Sequence, residues 1–208
     1  MKQLLIKKRK KTTYSKEEIT DLVKAWLVIS LAFAIVLSGP WFSSTLILNF
    51  IISLTTVGIG FIFHELAHKI VAQKYGCIAE FRANNMMLGL ALITSFFGII
   101  FAAPGAVYIG GFVSKKRNGI ISLAGPLTNM FIAMIFLITM LLTPNLFISK
   151  LSNYGFIINS WLALFNLIPI SVLDGKKVIN WNKTVWAIAL IIGIILTFII
   201  PTLVPSFI

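Results

Sequence analysis

Repeated runs of apolar residues constrain this chain more than any other feature. Of its 208 residues, 58% are hydrophobic, and the mean hydropathy is +0.96, whereas a soluble domain averages about 45–50% apolar residues. A bilayer-spanning helix needs ~20 apolar residues, and five runs approach or exceed this length, at residues 21–37, 44–75, 119–142, 154–173 and 186–204. The expected fold class is an all-α polytopic membrane protein, with one integral membrane domain over residues 21–208 and a basic cytoplasmic arm over residues 1–20.

A sixth apolar run, residues 86–109, is interrupted by Gly89, Gly98, Pro104 and Gly105. Its second half indicates strand and turn rather than helix. Irregular backbone at membrane depth is tolerated only inside protein or along a watery cavity, and a substrate cleft is such a place. We therefore expect five to six membrane segments and a short re-entrant or β element near an active site, with a hairpin, a re-entrant loop and a full span all open for this run.

The distribution of charge predicts the orientation. The net charge is +12 with 18 Lys and Arg residues, and these residues concentrate in the amino-terminal arm and in short loops between apolar runs, as in cytoplasmic flanks of membrane helices. If the amino terminus is inside and residues 86–109 dip in and return, every Lys and Arg except Lys150 lies on the cytoplasmic side. The prediction is a multi-pass protein of the cell membrane with a cytoplasmic amino terminus. The lipid bilayer is its expected partner, and no nucleic-acid partner is expected.

One short motif, His64-Glu65-Leu66-Ala67-His68, carries chemistry. Histidines at i and i+4 fall on one face of a helix, so His64 and His68 can bind one metal ion together while Glu65 takes a proton from water. This is the H-E-x-x-H pattern of zinc metalloproteases. The chain has only two histidines, and ionisable residues in membrane segments are functional by default. We expect one Zn²⁺ per chain and Glu65 as catalytic base, towards the cytoplasmic side.

A catalytic zinc site needs three protein ligands and one open position. In the predicted topology Asp174 reaches the same depth from another membrane segment. Cys77 and Glu80 follow the motif closely in sequence and stay open as alternatives, and Asp174 can instead be an interfacial carboxylate that pairs with Lys176 or Lys177.

Three further residues are predicted to bind substrate or support the site: Asn129, Asn166 and Pro169. Either asparagine can instead do no more than hydrogen-bond a neighbouring helix. Pro169 is expected to unwind the end of its helix so that Asp174 turns inward.

Three motifs together resemble the site-2 protease family of intramembrane zinc metalloproteases. They are the H-E-x-x-H motif, the Gly-Pro-x-x-Asn run from Gly125 to Asn129, and the run Asn166-x-x-Pro169-x-x-x-x-Asp174-Gly175. The resemblance covers residues 44–175 and is closest to the compact members, which lack PDZ and CBS domains. It implies that Asp174 is the third zinc ligand. It also implies that the substrate is a transmembrane protein, cut within or next to its membrane segment in regulated proteolysis. The long apolar stretch at residues 86–101 departs from the family pattern.

Two other functional classes compete with a protease. A transporter or channel would use the ionisable groups of His64, Glu65 and Asp174 as an intramembrane metal or proton path, but such proteins more often show repeated halves with broken helices, and the sequence has no such repeat. A catalytically idle scaffold would not need Glu65. The sequence specifies neither the substrate nor an oligomeric state.

Overall fold

The computed structural model describes residues 13–39, 44–100, 104–170 and 172–204. These residues form helices and one small sheet, in the order α1 (Lys16–Ser38), α2 (Leu46–Ser53), α3 (Ile59–Lys74), β1 (Ile78–Ala83), α4 (Asn85–Ser95), β2 (Gly105–Gly110), α5 (Lys115–Leu142), α6 (Leu146–Asn166), α7 (Asp174–Trp181), α8 (Lys183–Ile194) and α9 (Ile200–Leu203). The π-helical turns Leu54–Gly58 and Ile195–Ile199 join α2 to α3 and α8 to α9 without a break.

Four helical segments among the described residues are long and apolar enough to cross a membrane: Lys16–Ser38, Leu46–Lys74, Lys115–Leu142 and Lys183–Leu203. The shortest has 21 residues, which at ~1.5 Å per residue reaches the ~30 Å of the hydrocarbon core. Helix α6 also has 21 residues but is less apolar, since it carries Lys150, Asn153 and Asn159; it packs against α5 and α8. The predicted all-α polytopic membrane fold with a short β element is confirmed, with four candidate spans among the described residues where five to six membrane segments were expected.

The run at residues 86–109 does not form one crossing helix. Its helical part, α4, has 11 residues and is only ~16 Å long, too short for a core of ~30 Å. Strands β1 and β2 flank α4 and pair antiparallel, with Ile78 opposite Gly110 and Ala83 opposite Gly105. The chain therefore returns at β2 to the place that it left at β1. Residues 101–103 lie outside the described part.

Several helices begin or end at other residues than the apolar runs of the sequence suggested. Helix α1 begins at Lys16, within the predicted arm, because the Ser15 hydroxyl accepts a hydrogen bond from the Glu18 N–H and caps it; residues 1–12 of that arm are not described. Helix α6 covers residues 146–166 rather than 154–173, and most of the stretch between the predicted apolar runs 154–173 and 186–204 lies in helix α7. Lys176 and Asn180 of α7 are exposed while Asp174, Gly175 and Val178 are buried, and the basic, polar composition of this short helix resembles that of a loop.

Two buried apolar clusters hold the helices together. One joins α5, α6 and α8 around small and flexible side chains, among them Met130, Ala133 and Ala163, and small residues let helix backbones approach closely. The other joins α1, α3, α4 and β1. Within it the rings of Phe61 on α3 and Phe81 on β1 meet edge to face, with centroids 5.7 Å apart. The second cluster therefore fixes the helix of the H-E-x-x-H motif against the sheet.

A buried ion pair lies beside this second cluster. The side chains of Glu18 on α1 and Lys69 on α3 are both fully buried and in contact. The other carboxylate oxygen of Glu18 accepts a hydrogen bond of 2.9 Å from the Phe81 backbone N–H, and the Tyr14 ring lies 3.8 Å from the Lys69 ammonium. Lys69, expected as a flanking charge near the membrane surface, is thus an interior residue that links three elements.

Candidate metal centre

Helix α3 presents both histidines of the motif on one buried face. The Nε2 atoms of His64 and His68 are 3.0 Å apart, and only 5% and 7% of the two residues is exposed. This face of α3 is turned toward α5, so the rings are closed in by a second helix. The spacing read from the sequence therefore places two nitrogen donors at one point inside the fold.

Asp174, the first residue of α7, completes the group. Its Oδ2 atom lies 3.0 Å from Nε2 of His68 and 3.3 Å from Nε2 of His64. A side chain at Gly175 would overlap the backbone carbonyl of Leu167, so glycine at this position lets the start of α7 tuck against the end of α6. The chain turn that follows α6 is thereby tight enough to deliver the carboxylate to the histidines.

Among the described residues, His64, His68 and Asp174 form the one group of three candidate ligands whose donor atoms lie within 4.8 Å of one another. The two alternatives for the third position lie elsewhere. Glu80 forms an ion pair of 2.6 Å with Arg82 on the same strand, and Cys77 packs in a small apolar cluster between α3 and the sheet. The structure therefore brings Asp174 to the histidines and leaves Cys77 and Glu80 out.

The three residues fit a zinc ion. Tetrahedral ligands at ~2.0–2.2 Å from zinc lie about 3.3–3.5 Å from one another, close to the 3.0–3.3 Å found here. The space before the ring nitrogens is open because α5 has a glycine there: a Cβ at Gly125 would lie 2.5 Å from Nε2 of both histidines. Burial opposes ionisation of Asp174, but the two histidine rings outweigh it and hold the pKa of this carboxyl well below its ordinary value. A metal ligand must be in this deprotonated form.

The remaining ring nitrogens bind acceptors on α5. Nδ1 of His64 is 2.9 Å from Oδ1 of Asn129, and Nδ1 of His68 is 2.7 Å from the backbone carbonyl of Ile121. Metal-ligating histidines typically donate their second N–H in this way, which fixes the ring orientation and the tautomer. Asn129 is fully buried and lies where a site-supporting residue was expected.

The other two residues predicted to support the site, Asn166 and Pro169, are positioned differently from Asn129. The Asn166 amide donates a hydrogen bond of 2.8 Å to the Leu162 carbonyl within its own helix, and the residue is half-buried at the end of α6. Pro169 is exposed in the turn between α6 and α7. Helix α6 ends before Pro169, and Asp174 reaches the centre on a separate helix rather than on an unwound end.

Glu65 lies beside the centre. Its residue is buried, and its carboxylate is within electrostatic range of His64, Asp174 and Lys177. The backbone N–H of Val107, in β2, also interacts with this carboxylate. A carboxylate so placed can exchange a proton with a water at the open position between the ligands.

One buried residue near the site was not predicted from the sequence. Asn159 on α6 is fully buried, and its Oδ1 accepts a hydrogen bond of 3.4 Å from Nδ2 of Asn129. The sequence contained one signal for its role, an amide side chain in the middle of an apolar run. When such a polar group is buried, it must find a hydrogen-bond partner.

The fold and the site together define a class: a helical protein of membrane type with a buried group of two histidines and one aspartate that could hold a metal ion. Comparison with known proteins identifies relatives of this chain. The chain is 48% identical over 179 residues to the "Putative zinc metalloprotease MJ0611" of Methanocaldococcus jannaschii, covering 84% of this chain and 90% of that protein. It is 30% identical over 144 residues to the "Putative zinc metalloprotease YwhC" of Bacillus subtilis, covering 60% of this chain and 66% of that protein.

No family model matches the chain, and no solved structure matches it significantly. The chain belongs to the family of zinc metalloproteases that these relatives represent. The predicted zinc cofactor is confirmed by the family and by a buried group that could hold the ion.

Proposed function

We propose that the protein is an intramembrane zinc endopeptidase of the site-2 protease type. It cuts a peptide bond within or next to a transmembrane segment of a membrane protein, as a step of regulated proteolysis. The observation that carries this proposal is the buried group of His64, His68 and Asp174, with Glu65 beside it, inside a fold of long apolar helices. A soluble protease has no need of such surroundings.

In the proposed mechanism, His64, His68 and Asp174 hold the zinc ion. When bound, zinc supplies Lewis-acid activation of water and of the scissile carbonyl. Glu65 takes the proton of the attacking water and returns it to the leaving amine. The missing side chain at Gly125 keeps the approach to this point open.

The two-stranded sheet offers an edge to which an unwound substrate segment can bind through its backbone. A transmembrane helix resists proteolysis because its peptide bonds are enclosed in its own hydrogen bonds, so the segment must open before it is cut. On β1, the backbone N–H groups of Phe81 and Ala83 donate to the carboxylates of Glu18 and Asp21, at 2.9 and 3.2 Å. Helix α1 therefore covers the outer edge of β1, and this edge is closed to a further strand.

The outer edge of β2 faces the candidate metal centre. Phe81, which opposes Val107, directs its N–H to α1 and not to β2, so this pair is of the non-hydrogen-bonded kind, in which both residues point their backbone groups outward. By the same alternation Gly105, Val107 and Ile109 present their backbone groups on the free side of β2. The Val107 N–H interacts with Glu65. An extended substrate segment added to this edge would run beside the catalytic base.

The proposal includes an orientation, with the amino terminus and the active site on the cytoplasmic side. Single cysteines in a Cys77→Ser background test it by labelling in intact cells. Positions near Lys116 and Lys177 are expected to react only with cytoplasmic reagent, and positions near Asn145 only with external reagent. External labelling near Lys116 would contradict the orientation.

Zinc content and cleavage of a model transmembrane substrate test the function itself. The Glu65→Gln variant is expected to retain one zinc per chain and to lose at least ~10²–10⁴-fold in rate, because it removes the base and neither histidine. The Asp174→Ala variant is expected to lose both zinc and cleavage. Purified parent protein without zinc, or a Glu65→Gln variant that cuts at the parent rate, would refute the assignment. Ion flux in liposomes without cleavage would favour the transporter class.

A further inference from the structure

We propose that Asn159 is a positioning residue for the metal centre: acting through Asn129, it sets the tautomer of His64 so that the bare Nε2 atom faces the metal position. This inference rests on the proposed metal site and deepens it. It assigns a role to a buried residue on α6, a helix that supplies no candidate ligand.

A chain of hydrogen bonds connects α6 to the histidine. Nδ2 of Asn159 donates to the backbone carbonyl of Gly155 at 2.9 Å, one turn earlier on α6. Oδ1 of Asn159 accepts from Nδ2 of Asn129 at 3.4 Å, and Oδ1 of Asn129 lies 2.9 Å from Nδ1 of His64. Both asparagines are fully buried, so each amide is limited to the partners that the fold provides.

The direction of every bond in this chain follows from its first member. A backbone carbonyl only accepts hydrogen bonds, so Asn159 must turn its Nδ2 toward Gly155. Its Oδ1 then faces Asn129, which can satisfy it only by donating from Nδ2. Oδ1 of Asn129 is thereby turned toward His64.

An amide oxygen requires a donor, and a neutral imidazole has a single N–H. The proton of His64 therefore lies on Nδ1, and Nε2 keeps its free electron pair. That atom lies 3.3 Å from Oδ2 of Asp174 and 3.0 Å from Nε2 of His68, at the metal position. His68 reaches the same state more simply, because its Nδ1 meets the Ile121 carbonyl directly.

A glycine on the motif helix makes the approach of Asn159 possible. Gly60 lies one turn before His64 on α3, and a Cβ there would overlap Oδ1 of Asn159. The bare backbone at Gly60 lets the Asn159 side chain come against α3, within reach of Asn129. An alanine at this position would push the Asn159 amide away without removing any polar group.

The histidine tautomers can be observed directly. The chain has two histidines, so protein labelled with ring-¹⁵N histidine and carrying a histidine-free tag gives only two ring systems in long-range ¹H–¹⁵N NMR spectra. In the zinc-free parent protein, at a pH where the imidazole rings are neutral, both rings are expected to carry the proton on Nδ1. In Asn159→Leu, which has similar size and no polar atom, Asn129 loses its acceptor and its amide is free to turn. The His64 signals are then expected to show a mixture of tautomers, while the His68 signals stay unchanged.

Zinc affinity, measured by competition with a chelator, is the second readout. Loss of a partner that orients a ligand typically weakens metal binding 10–100-fold, and this range is expected for Asn159→Leu and for Gly60→Ala. The matched control is Ser160→Ala: Ser160 is the next residue on α6, is fully buried, and its hydroxyl has no hydrogen-bond partner among the described residues. This control is expected to keep parent spectra and affinity.

The outcomes separate this inference from the proposed function. A parent protein that binds no zinc would overturn the function and the inference together. A parent that binds zinc, combined with an Asn159→Leu variant with unchanged His64 signals and affinity, would overturn the inference alone. Helix content verifies folding, and Asn159→Ala, which adds no atoms, replaces the leucine variant if that variant does not fold; it carries the same expectations.

Discussion

The buried ion pair between Glu18 and Lys69 allows a quantitative prediction of stability. Glu18→Leu removes the only carboxylate in contact with the fully buried Lys69 ammonium among the described residues, and it also removes the acceptor of the Phe81 N–H. An uncompensated buried charge costs ~3–5 kcal/mol, and an unpaired buried amide ~1–3 kcal/mol. The two terms together predict a loss of about 4–8 kcal/mol, against a typical total stability of ~5–15 kcal/mol.

A double variant separates these two terms. In Glu18→Leu with Lys69→Met both charges are gone, and replacing a whole buried pair by apolar residues is often neutral or stabilising. Only the unpaired Phe81 N–H remains, so the double variant should be destabilised by just ~1–3 kcal/mol. It is therefore expected to be more stable than the single Glu18→Leu variant, although it carries more substitutions.

Unfolding of the purified protein by SDS in mixed micelles, followed by far-UV circular dichroism, measures these differences. The control is Glu17→Leu, since the neighbouring Glu17 side chain is 82% exposed and forms a surface pair of 3.2 Å with Arg82; an exposed pair contributes at most ~1 kcal/mol. A Glu18→Leu variant within ~1 kcal/mol of the parent, or a double variant no more stable than the single one, would refute the reasoning.

Three further predictions concern the centre and the sheet. Gly125→Ala should abolish zinc binding, because its methyl group would lie 2.5 Å from the Nε2 atoms of both histidines. The control Gly89→Ala, with open space around its Cβ, should keep one zinc per chain by metal analysis. Equal zinc content in the two variants would contradict this prediction. Val107→Pro should impair cleavage of a model substrate with zinc retained, because it removes an N–H on the outer edge of β2 that also interacts with Glu65, and it leaves the ladder to β1 intact. Unchanged cleavage would remove the edge from the mechanism. Cys77→Ser and Glu80→Gln should each keep one zinc per chain, and loss of zinc in either would show that the ligand set is wrong.

The sequence by itself determined the features that depend on local periodicity and hydropathy. Long apolar runs can satisfy their backbone groups in a bilayer only as helices, so the all-α membrane fold followed directly. The helical repeat alone places His64 and His68 on one face. Glycines and a proline in residues 86–109 were enough to predict the short β element, because these residues interrupt helices wherever they occur.

Only the tertiary structure decided which distant groups meet. In the sequence, Cys77, Glu80 and Asp174 were all candidates for the third ligand, and the packing of α7 brought the last to the histidines. The same holds for Lys69, whose charge suggested a membrane flank and whose buried position depends on a carboxylate from α1.

Asn159 shows most clearly why contacts between distant residues could not be predicted from the sequence. Its side chain is an ordinary amide in an apolar run, and its place beside the metal centre depends on the close approach of two helices at Gly60. Local preferences arise from neighbours in the chain and can be read from it. Contacts between α3, α5 and α6 arise from packing of whole helix surfaces, which no short stretch of sequence encodes.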